Sequence, residues 1–541
     1  MFLLFGGERK KRWDTLEHNG PLFPPLYEPH NIPVIYQGKE VLLQPKAEEL
    51  ATIYAKLSEN DVLENSTFRN NFWNDWKKLL KNDTPIKNLE DCDFSLIYQD
   101  YLSNKEILKN LSKEEKEEVK EKKAKLEEKY TYCYIDGNKT KVGNFRMEPT
   151  GIFMGRGDHP KIGRIKPYVY PEEVTINIGK DAKIPEPSLP GHKWKEVIHD
   201  NTSVWLASWK DHISGKTKYV FTSNESEFKS QSDERKFDRA KKLKEIIKKV
   251  HLNNNKNLES DDLKVKQLAT ALYFIDNFAL RVGGKKNKKK SADTVGVTSL
   301  RVEHIKLVGK NIIKLDFLGK DSIRYCNRVK ISDIVYKNLE EFMESKKNKQ
   351  QLFDLVSSQS MNDYLKSFMK KLTAKVFRTY NASETFQKEL LKVDEEKIKK
   401  LSEQERTNIL VNLINQANAE VAILCNHQKA VSKTFTSQLE KMDEQIKKAK
   451  ASLRKAKTSK GKTKKERIEK IQKKIKLIRL KKKTKQKMKN VSLGTSKDNY
   501  IDPRILIAFS KKYEVPLEKI FNKTALSRFE WAKDTDKNYI F

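Results

Sequence analysis

Two Gly-Lys-Thr triplets are the first place in the sequence to look for chemistry, because a phosphate-binding P-loop ends in such a triplet. A P-loop also needs a glycine five residues earlier, so that successive backbone N–H groups can wrap a phosphate. Lys210 occupies that place before Gly215, and Ala456 occupies it before Gly461. Both triplets are therefore chance matches, and clustered carboxylates suited to two-metal nuclease chemistry are also lacking. The sequence predicts no ATP site, no metal site and no cofactor.

The next candidates are basic side chains at the ends of predicted elements. Arg281 is in the last turn of a predicted helix that the pair Gly283–Gly284 would cap, so it could simply complement the helix dipole. Lys320 is at the tip of a hairpin predicted between Ile313–Phe317 and Ile323–Tyr325, which by default makes it an exposed turn lysine. Neither residue identifies a reaction on its own.

Three further candidates follow apolar stripes or lie in a polar segment. Arg378 comes two residues after a predicted buried helical stripe over 365–376. His427 continues the stripe of a second helix, 410–424, by one turn, where a hydrogen-bonded core histidine is the more common outcome. Tyr500 stands among polar residues and a proline in 493–504, unlike a core tyrosine. Individually, these signals leave a purely structural role open for each residue.

The net charge limits what the partner of this chain can be. The chain has 541 residues with 110 Lys and Arg against 74 Asp and Glu, a formal charge of +36 at pH 7. This excess predicts a polyanionic partner, either nucleic acid or an anionic membrane surface. No stretch approaches the roughly 20 apolar residues that a membrane-spanning helix needs. Four widely separated cysteines indicate neither a disulfide framework nor a metal site, so a reducing compartment and a nucleic-acid partner are the working hypothesis.

Half of the net charge lies in residues 436–490, which contain 23 Lys and Arg and 5 Asp and Glu and therefore carry a net charge of +18. Apolar residues step by three and four along both halves of this segment, on either side of a glycine-containing turn at 459–463. The seam positions are Leu439, Met442, Ile446, Ala449, Leu453 and Ala456, then Ile468, Ile471, Ile475 and Ile478. This heptad pattern predicts a short antiparallel coiled-coil hairpin, whose basic surface we expect near a phosphate backbone.

Helices and short strands are predicted for the rest of the chain, which indicates a multidomain α+β protein. Helical patches are expected at 46–56 and 71–80, and a capping box at Ser112 should open a charged helix that ends near Tyr130. The longer regions, in order, are β-like runs over 132–222, helices over 225–429 with a β segment near 312–329, and a small helical unit from 493.

Ten longer segments give these candidates a common context. They are EHNGP (Glu17–Pro21), KAEELAT (Lys46–Thr52), GHKWKEV (Gly191–Val197), ALYFID (Ala271–Asp276), ADTVG (Ala292–Gly296), SLRVEHI (Ser299–Ile305), FLGKDSIRY (Phe317–Tyr325), AKVFRTYNAS (Ala374–Ser383), AILCNHQ (Ala422–Gln428) and LGTSKDNYIDPR (Leu493–Arg504). In these segments and in their order along the sequence, the chain resembles the eukaryotic type IB DNA topoisomerases over essentially its whole length.

The resemblance implies a particular architecture. It implies a bilobed DNA clamp with a mixed α/β N-terminal part, a mainly helical tyrosine-recombinase-like catalytic core, an antiparallel coiled-coil linker and a small helical C-terminal domain. The corresponding ranges are 1–222 for the N-terminal clamp lobe, with 29–106 as an inserted helical subdomain, 223–430 for the core, 431–492 for the linker and 493–541 for the C-terminal domain.

The resemblance also implies a reaction. Tyr500 would be the nucleophile that forms a transient 3′-phosphotyrosyl bond, Arg281, Arg378 and His427 would stabilise the transition state, and Lys320 would be the general acid. Strand rotation and religation would then relax positive and negative supercoils without ATP or metal. The expected partner is double-stranded DNA enclosed by a monomer in the nucleus, with no membrane contact.

Residues outside the catalytic set are carried over in the same way. Those expected to contact DNA are Arg156, Lys161, Lys193, Lys195, Asp321, Lys375 and Asn499. Three of them, Arg156, Asp321 and Asn499, would also form the site where camptothecin-type poisons stack against the cleaved step.

Three positions depart from the family pattern. Met154 replaces the first arginine of an Arg-Gly-Arg-Gly loop, and Gly284 stands where an asparagine is usual. Lys290 ends a lysine-rich loop where relatives carry acidic residues, so the Lys–Glu bridge expected to close the clamp would pair Lys290 with Lys161. Like charges at that point predict a clamp that opens more readily when it is empty.

Two other functions fit part of the pattern. A tyrosine recombinase shares the Arg-Lys-Arg-His-Tyr set, but the N-terminal clamp and the coiled-coil linker argue against it. A non-catalytic DNA-binding protein, with Tyr500 as a bystander, is the second alternative.

Overall fold

Helices make up 52% of the structure, and small sheets of two to four strands accompany them. The structure, a computed structural model, describes residues 11–287, 290–429, 431, 434–458 and 463–541. Two compact units divide these residues. The first takes the described residues of Met1–Lys229 and Lys286–Asp293, and the second takes Ser230–Lys285 and the described residues of Thr294–Phe541. The predicted multidomain α+β class is confirmed.

The first unit combines short strands with four helices in the described residues. Its strands are β1 (Leu16–Glu17), β2 (Val34–Tyr36), β3 (Lys39–Val41), β4 (Cys92–Asp93), β5 (Tyr132–Ile135), β6 (Asn138–Lys141), β7 (Gly151–Ile152), β8 (Ile165–Lys166), β9 (Thr175–Asn177), β10 (Glu196–Ile198), β11 (Trp205–Lys210) and β12 (Thr217–Phe221). The helices are α1 (Pro45–Ala55), α2 (Ser66–Trp76), α3 (Ser95–Asn110) and α4 (Lys113–Thr131). The sheets are β1-β5-β6, β3-β2-β4, β7-β8 and β10-β9-β11-β12, and only the β9–β10 pairing is parallel among the described strands.

Two separate hydrophobic cores stabilise the first unit. One gathers aromatic and aliphatic side chains of α1, α2 and the β2–β4 sheet around the fully buried Phe68, Phe72 and Trp76. The other packs β5, β9 and β11 around Val174 and Ile176. Helix α4 begins with the predicted capping box, in which the Ser112 side chain and the carboxylate of the third helical residue accept each other's backbone N–H.

The second unit is mainly helical. Its helices are α5 (Glu227–Leu258, which begins just before the unit), α6 (Leu263–Asn277), α7 (Asp333–Glu344), α8 (Ser358–Phe368), α9 (Ala374–Leu390), α10 (Glu395–Lys399), α11 (Glu403–Leu424), α12 (Phe435–Thr458), α13 (Lys464–Lys487), α14 (Leu493–Asn499), α15 (Pro503–Tyr513), α16 (Leu517–Ile520) and α17 (Lys523–Arg528). One antiparallel sheet joins β13 (Ile305–Gly309), β14 (Ile312–Leu318) and β15 (Arg324–Lys330). The sequence predicted β14 and β15 but not β13. None of the helices within the described ranges is long and apolar enough to span a bilayer.

Helices α12 and α13 pack against each other in opposite directions. Asp443 near the start of α12 accepts from Lys482 near the end of α13, at 2.5 Å. Every predicted seam position in both helices is buried or half-buried, whereas most residues around them are exposed. Helix α13 also meets α11, because Gln416 donates to Thr484 at 2.9 Å. The heptad pattern therefore located the buried face of this helical hairpin.

The helix that precedes Arg281 ends earlier than the sequence predicted. It ends at Asn277, and Ala279 takes the left-handed conformation with φ 47° that stops a helix. The prediction placed the end at Gly283–Gly284 because glycine is the usual residue for that conformation. Arg281 is therefore beyond the helix, and the dipole explanation for it is wrong.

Two other predicted stripes do not continue as single helices. The stripe over 365–376 is split between α8 and α9, with left-handed Lys371 (φ 66°) in the connection, so Arg378 lies inside α9. The second helix ends at Leu424, and left-handed Asn426 (φ 53°) turns the chain before His427. Both predictions failed because the apolar periodicity ran on through backbone breaks made by residues other than glycine.

Gly283 takes part in a backbone crossing instead of a helix cap. A Cβ built on Gly296 would lie 2.5 Å from backbone atoms of Gly283 and 2.7 Å from the carbonyl oxygen of Arg281. The same two segments are hydrogen bonded, since Val297 donates to the Arg281 carbonyl at 2.9 Å. This crossing fixes the backbone that carries the Arg281 side chain.

We predict that Gly296→Ala destabilises the protein by about 2 kcal/mol or more, because the added methyl group meets backbone that cannot move aside. Gly284→Ala is the matched control, since the nearest atom to its Cβ is the Ser358 hydroxyl at 3.7 Å. That variant should stay within about 0.5 kcal/mol of the wild type. Urea unfolding of both variants gives the comparison, and equal midpoints would show that the crossing is not tight.

Candidate active site

Four of the five predicted catalytic side chains meet around the ring of Tyr500. Arg281 Nη2 donates to the Tyr500 hydroxyl at 3.3 Å. The Arg378 guanidinium lies over the same ring, 5.1 Å from its centre, and the His427 ring is 5.2 Å away. Segments from four parts of the second unit thus converge on one hydroxyl group.

Arg378 is the most enclosed member of this cluster. It is 4% exposed, and its guanidinium donates to the carbonyl oxygens of Ala279 and, at 3.1 Å, of Cys425. It also donates to His427 Nε2 at 3.3 Å, while its own Nε is buried and finds no hydrogen-bond partner within the described part of the chain. Neither Arg378 nor Arg281 pairs with a carboxylate among the described residues. The cluster therefore carries two positive charges that an anion from outside could neutralise.

His427 is held from both sides. Its Nδ1 is 2.7 Å from the Ser496 hydroxyl, and its backbone N–H donates to the Ala422 carbonyl at 2.8 Å. Burial, and next the guanidinium groups of Arg378 and Arg281, lower the pKa of His427 to about 3. The ring is consequently neutral in the empty site at physiological pH.

Tyr500 follows the last residue of α14, and its backbone is fixed by two serines. Its N–H donates to the Ser496 carbonyl at 2.9 Å. The Ser383 hydroxyl, on α9, donates to the Tyr500 carbonyl at 3.2 Å and accepts from the Asp502 N–H at 3.0 Å. Both serines are fully buried. The turn that presents the phenol is therefore attached to the same helix that carries Arg378.

Asp502 stabilises the other side of this turn. Its fully buried carboxylate caps α15 by accepting from the Arg504 N–H at 3.0 Å, and it pairs with the Arg504 side chain at 2.8 Å. The Tyr539 hydroxyl donates to it at 3.2 Å. Arg504 also reaches the half-exposed Asp238 of α5, at 2.9 Å.

Lys320 lies at the predicted hairpin tip between β14 and β15, where Asp321 and Ser322 take left-handed conformations. Its exposed ammonium makes no hydrogen bond or ion pair with any described residue, and no such contact joins it to Tyr500. The hairpin is attached to the His427 segment beside its tip, because Gln428 donates at 3.2 Å to the carbonyl of Arg324, the first residue of β15.

The predicted DNA-contacting residues are spread over both units, and all of them except the half-buried Lys161 are exposed. In the second unit, Lys375 is on the first turn of α9, Asp321 is at the hairpin tip, and Asn499 ends α14 with its amide donating to Thr495 at 3.2 Å. In the first unit, Arg156, Lys193 and Lys195 are exposed. The Lys161 ammonium donates to the Ile213 carbonyl.

The sequence reasoning missed Ser383, Ser496 and Asp502 as parts of this site. Both serines lie inside segments that carried the family resemblance, which is the one signal that could have drawn attention to them. Asp502 before Pro503 also has the pattern of a helix start, an N-cap followed by proline.

Three family models match the chain in order. The model of the eukaryotic DNA topoisomerase I DNA-binding fragment matches residues 11–222, that of the eukaryotic DNA topoisomerase I catalytic core matches 225–460, and that of the C-terminal topoisomerase domain matches 472–541. The four basic members of the predicted catalytic set fall in the second match, and Tyr500 falls in the third.

Several curated proteins are similar along almost the whole chain. DNA topoisomerase 1 beta of Arabidopsis thaliana is 45% identical over 99% of this chain and 60% of its own length. DNA topoisomerase 1 of Homo sapiens is 42% identical over 98% of this chain and 72% of its own length, and that of Caenorhabditis elegans is 42% identical over 98% and 68%. The chain thus spans 60% of the length of the Arabidopsis relative.

We predict that Asp502→Asn destabilises the protein by about 3 kcal/mol, because it leaves the enclosed Arg504 guanidinium without its buried partner. Asp238→Asn is the matched control: it removes the other carboxylate from Arg504, but Asp238 is 43% exposed and its loss should cost at most about 1 kcal/mol. Urea unfolding measures both changes. If the two variants lose equal stability, the Asp502 carboxylate is not the main support of this turn.

Proposed function

This chain belongs to the eukaryotic DNA topoisomerase I family, and from that membership and the geometry around Tyr500 we propose that it relaxes supercoiled DNA as a type IB topoisomerase. One observation supports the proposal most directly. The Tyr500 hydroxyl accepts a hydrogen bond from Arg281 and lies beside Arg378, and neither guanidinium has a carboxylate partner among the described residues. This arrangement suits a phosphate group placed next to a nucleophilic oxygen.

In the proposed reaction the Tyr500 hydroxyl loses its proton to solvent as its oxygen attacks one phosphodiester of duplex DNA. The bond from phosphorus to the 5′ oxygen breaks as the bond to the tyrosine oxygen forms, which leaves a 3′-phosphotyrosyl link and a free 5′-hydroxyl. Because the covalent link retains the energy of the phosphodiester, the cut strand can rotate and the 5′-hydroxyl can reverse the reaction without ATP.

Arg281, Arg378 and His427 would stabilise the negative charge on the two non-bridging oxygens during this attack. Guanidinium groups donate paired, charge-assisted hydrogen bonds to phosphate oxygens. Arg378 is already fixed by backbone carbonyls, so little reorganisation would be needed when charge develops. These residues occupy the place that a metal ion has in other phosphoryl-transfer enzymes.

Lys320 would protonate the departing 5′ oxygen. An exposed ammonium on a hairpin tip, free of partners among the described residues, can enter a groove of the duplex and reach that oxygen. The same lysine would then accept the proton back when the 5′-hydroxyl attacks in the religation step.

We also propose the finer architecture that the family resemblance implies. The two units would enclose duplex DNA as a bilobed clamp of one polypeptide, and the α12–α13 hairpin would be a coiled-coil linker between the core, 223–430, and the C-terminal domain, 493–541. Arg156, Lys161, Lys193, Lys195 and Lys375 would contact DNA in that clamp. The formal charge of +36 supports a polyanionic partner such as duplex DNA.

Arg156, Asp321 and Asn499 would form the binding site of camptothecin-type poisons. The departure at Met154 is two residues before Arg156, and Lys290 would face a second lysine, Lys161, in the proposed clamp contact. A nuclear location is proposed because the named relatives are eukaryotic DNA topoisomerases.

The family membership favours this function over the two alternatives. All three matched models are topoisomerase models, and together they cover the clamp, the core and the nucleophile segment.

Tyr500→Phe should abolish relaxation of a supercoiled plasmid in buffer that contains EDTA and no ATP, while duplex binding stays within about twofold, because only the nucleophilic oxygen is removed. Tyr513→Phe is the matched control: it removes a hydroxyl that contacts exposed Glu395 and should keep full activity. Relaxation by the pure Tyr500→Phe protein would refute the nucleophile assignment, and an inactive wild type would refute the function.

Lys320→Ala should slow strand cleavage about 100-fold or more on ordinary DNA. On DNA whose 5′ bridging oxygen is replaced by sulfur it should cleave nearly as fast as the wild type, because a thiolate leaves without a proton. Lys330→Ala, an exposed lysine at the end of the same hairpin, should cleave both substrates normally. An equal defect of Lys320→Ala on both substrates would assign Lys320 to positioning and not to acid catalysis.

A further inference from the structure

Ser496 connects two members of the site that are distant in the sequence. Its hydroxyl is 2.7 Å from His427 Nδ1, and its carbonyl accepts the N–H groups of Tyr500 at 2.9 Å and Ile501 at 3.1 Å. The residue is fully buried in α14, one turn before the phenol. It therefore touches both the imidazole that faces Arg378 and the backbone that presents the Tyr500 side chain.

The hydrogen bonds around His427 determine where its proton lies. The guanidinium of Arg378 can only donate, so His427 Nε2 must accept from it. A neutral imidazole has one N–H, which is then on Nδ1, and the Ser496 hydroxyl oxygen accepts it. In the described residues the Ser496 hydroxyl has no other hydrogen-bond partner, so its lone pairs are available to this one group.

A bound phosphodiester changes what His427 Nε2 must do. In the proposed reaction Nε2 faces a non-bridging oxygen, which carries no hydrogen and can only accept. To donate, Nε2 must gain a proton from solvent and give up the hydrogen bond that it accepts from Arg378, and the negative phosphate favours both changes by offsetting the charges of Arg281 and Arg378. Nδ1 keeps its own proton throughout, so the hydrogen bond to Ser496 is the same in the empty and the occupied site.

We propose that Ser496 is a positioning residue for catalysis: its hydroxyl accepts from His427 Nδ1 in both protonation states and holds the imidazole so that Nε2 points at the scissile phosphate. The proposal rests on the topoisomerase function above and adds a residue to it. A serine suits this task because it orients the ring without adding negative charge. A carboxylate at the same place would charge the histidine permanently and would compete with the phosphate for Arg378.

The neighbouring buried serine supplies a matched control. Ser383 is as completely buried as Ser496 and also contacts the Tyr500 turn, but its hydroxyl bonds the Tyr500 carbonyl and the Asp502 N–H instead of His427. Removing either hydroxyl disturbs the nucleophile segment. Only removal of the Ser496 hydroxyl releases the imidazole.

The test is a double-mutant cycle on single-turnover cleavage of a DNA substrate that traps the covalent product. Ser496→Ala should slow cleavage about tenfold in the wild-type background. It should slow cleavage less than about twofold in the His427→Ala background, because the group through which it acts is gone. Ser383→Ala should instead cause the same loss in both backgrounds. The affinity for duplex DNA should stay within about twofold of the wild type for all variants. If the Ser496→Ala protein does not fold, Ser496→Cys, which keeps the side-chain volume, takes its place.

The outcomes separate this inference from the proposed function. If the wild type forms no covalent product, the topoisomerase function fails. If the wild type cleaves but Ser496→Ala cleaves equally fast, or loses the same factor in the His427→Ala background, Ser496 does not act through His427 and the inference is overturned.

Discussion

The burial of Arg378 without a carboxylate partner in the described part of the chain is the constraint on which the site depends. A cation that is 4% exposed is costly unless its donors are satisfied, and here backbone carbonyl oxygens and a neutral imidazole satisfy most of them. Carbonyl dipoles stabilise the charge without cancelling it, and Arg281 adds a second positive charge nearby. Burial and then the field of these two guanidinium groups lower the pKa of His427, and the same field favours any group that brings negative charge to the Tyr500 hydroxyl. The empty site thus carries positive charge beside the Tyr500 side chain, which suits the phosphate of the proposed reaction.

Such a field is useful only if the groups that produce it cannot relax, and backbone turns keep them in place. Left-handed Ala279 ends α6 and directs its carbonyl at Arg378, and left-handed Asn426 follows α11 and turns His427 back toward the same guanidinium. Neither residue is glycine, so each conformation costs on the order of 1 kcal/mol and must be held by the surrounding contacts. The contact of Gly283 with Gly296 fixes the next few residues, including Arg281. The locally unfavourable left-handed conformations thus occur at the residues that orient the functional groups of the site.

Local patterns in the sequence predicted local structure well, and they failed at backbone breaks. The heptad spacing located the buried seam of α12 and α13, and alternation located the hairpin that carries Lys320, because both depend on side chains a few residues apart. The ends of α6 and α11 were missed because the left-handed residues after them are alanine and asparagine, whereas the prediction relied on glycine as the signal for that conformation. The roles of Ser496 and Ser383 depend on partners 69 and 117 residues away in the sequence. No local pattern distinguishes these two serines from the other serines of the chain. The five candidate site residues were selected through the family resemblance, and the structure then brought four of them to one ring.

The separation of Lys320 from that cluster follows from the geometry of the proposed reaction. In an in-line displacement the attacking and leaving oxygens lie on opposite sides of phosphorus. A general acid for the leaving oxygen must therefore stand across the phosphate from the nucleophile, and a direct contact between Lys320 and Tyr500 would leave no room for the substrate. The described residues give the Lys320 side chain no partner, yet Arg324, the first strand residue after this hairpin tip, is bonded to the segment that carries His427. The Lys320 ammonium can therefore adjust its position in a groove of the duplex. The attachment of the hairpin limits how far the ammonium can move from the arginine cluster. In the proposed reaction, charge stabilisation and proton transfer would therefore come from separate elements, with the substrate between them.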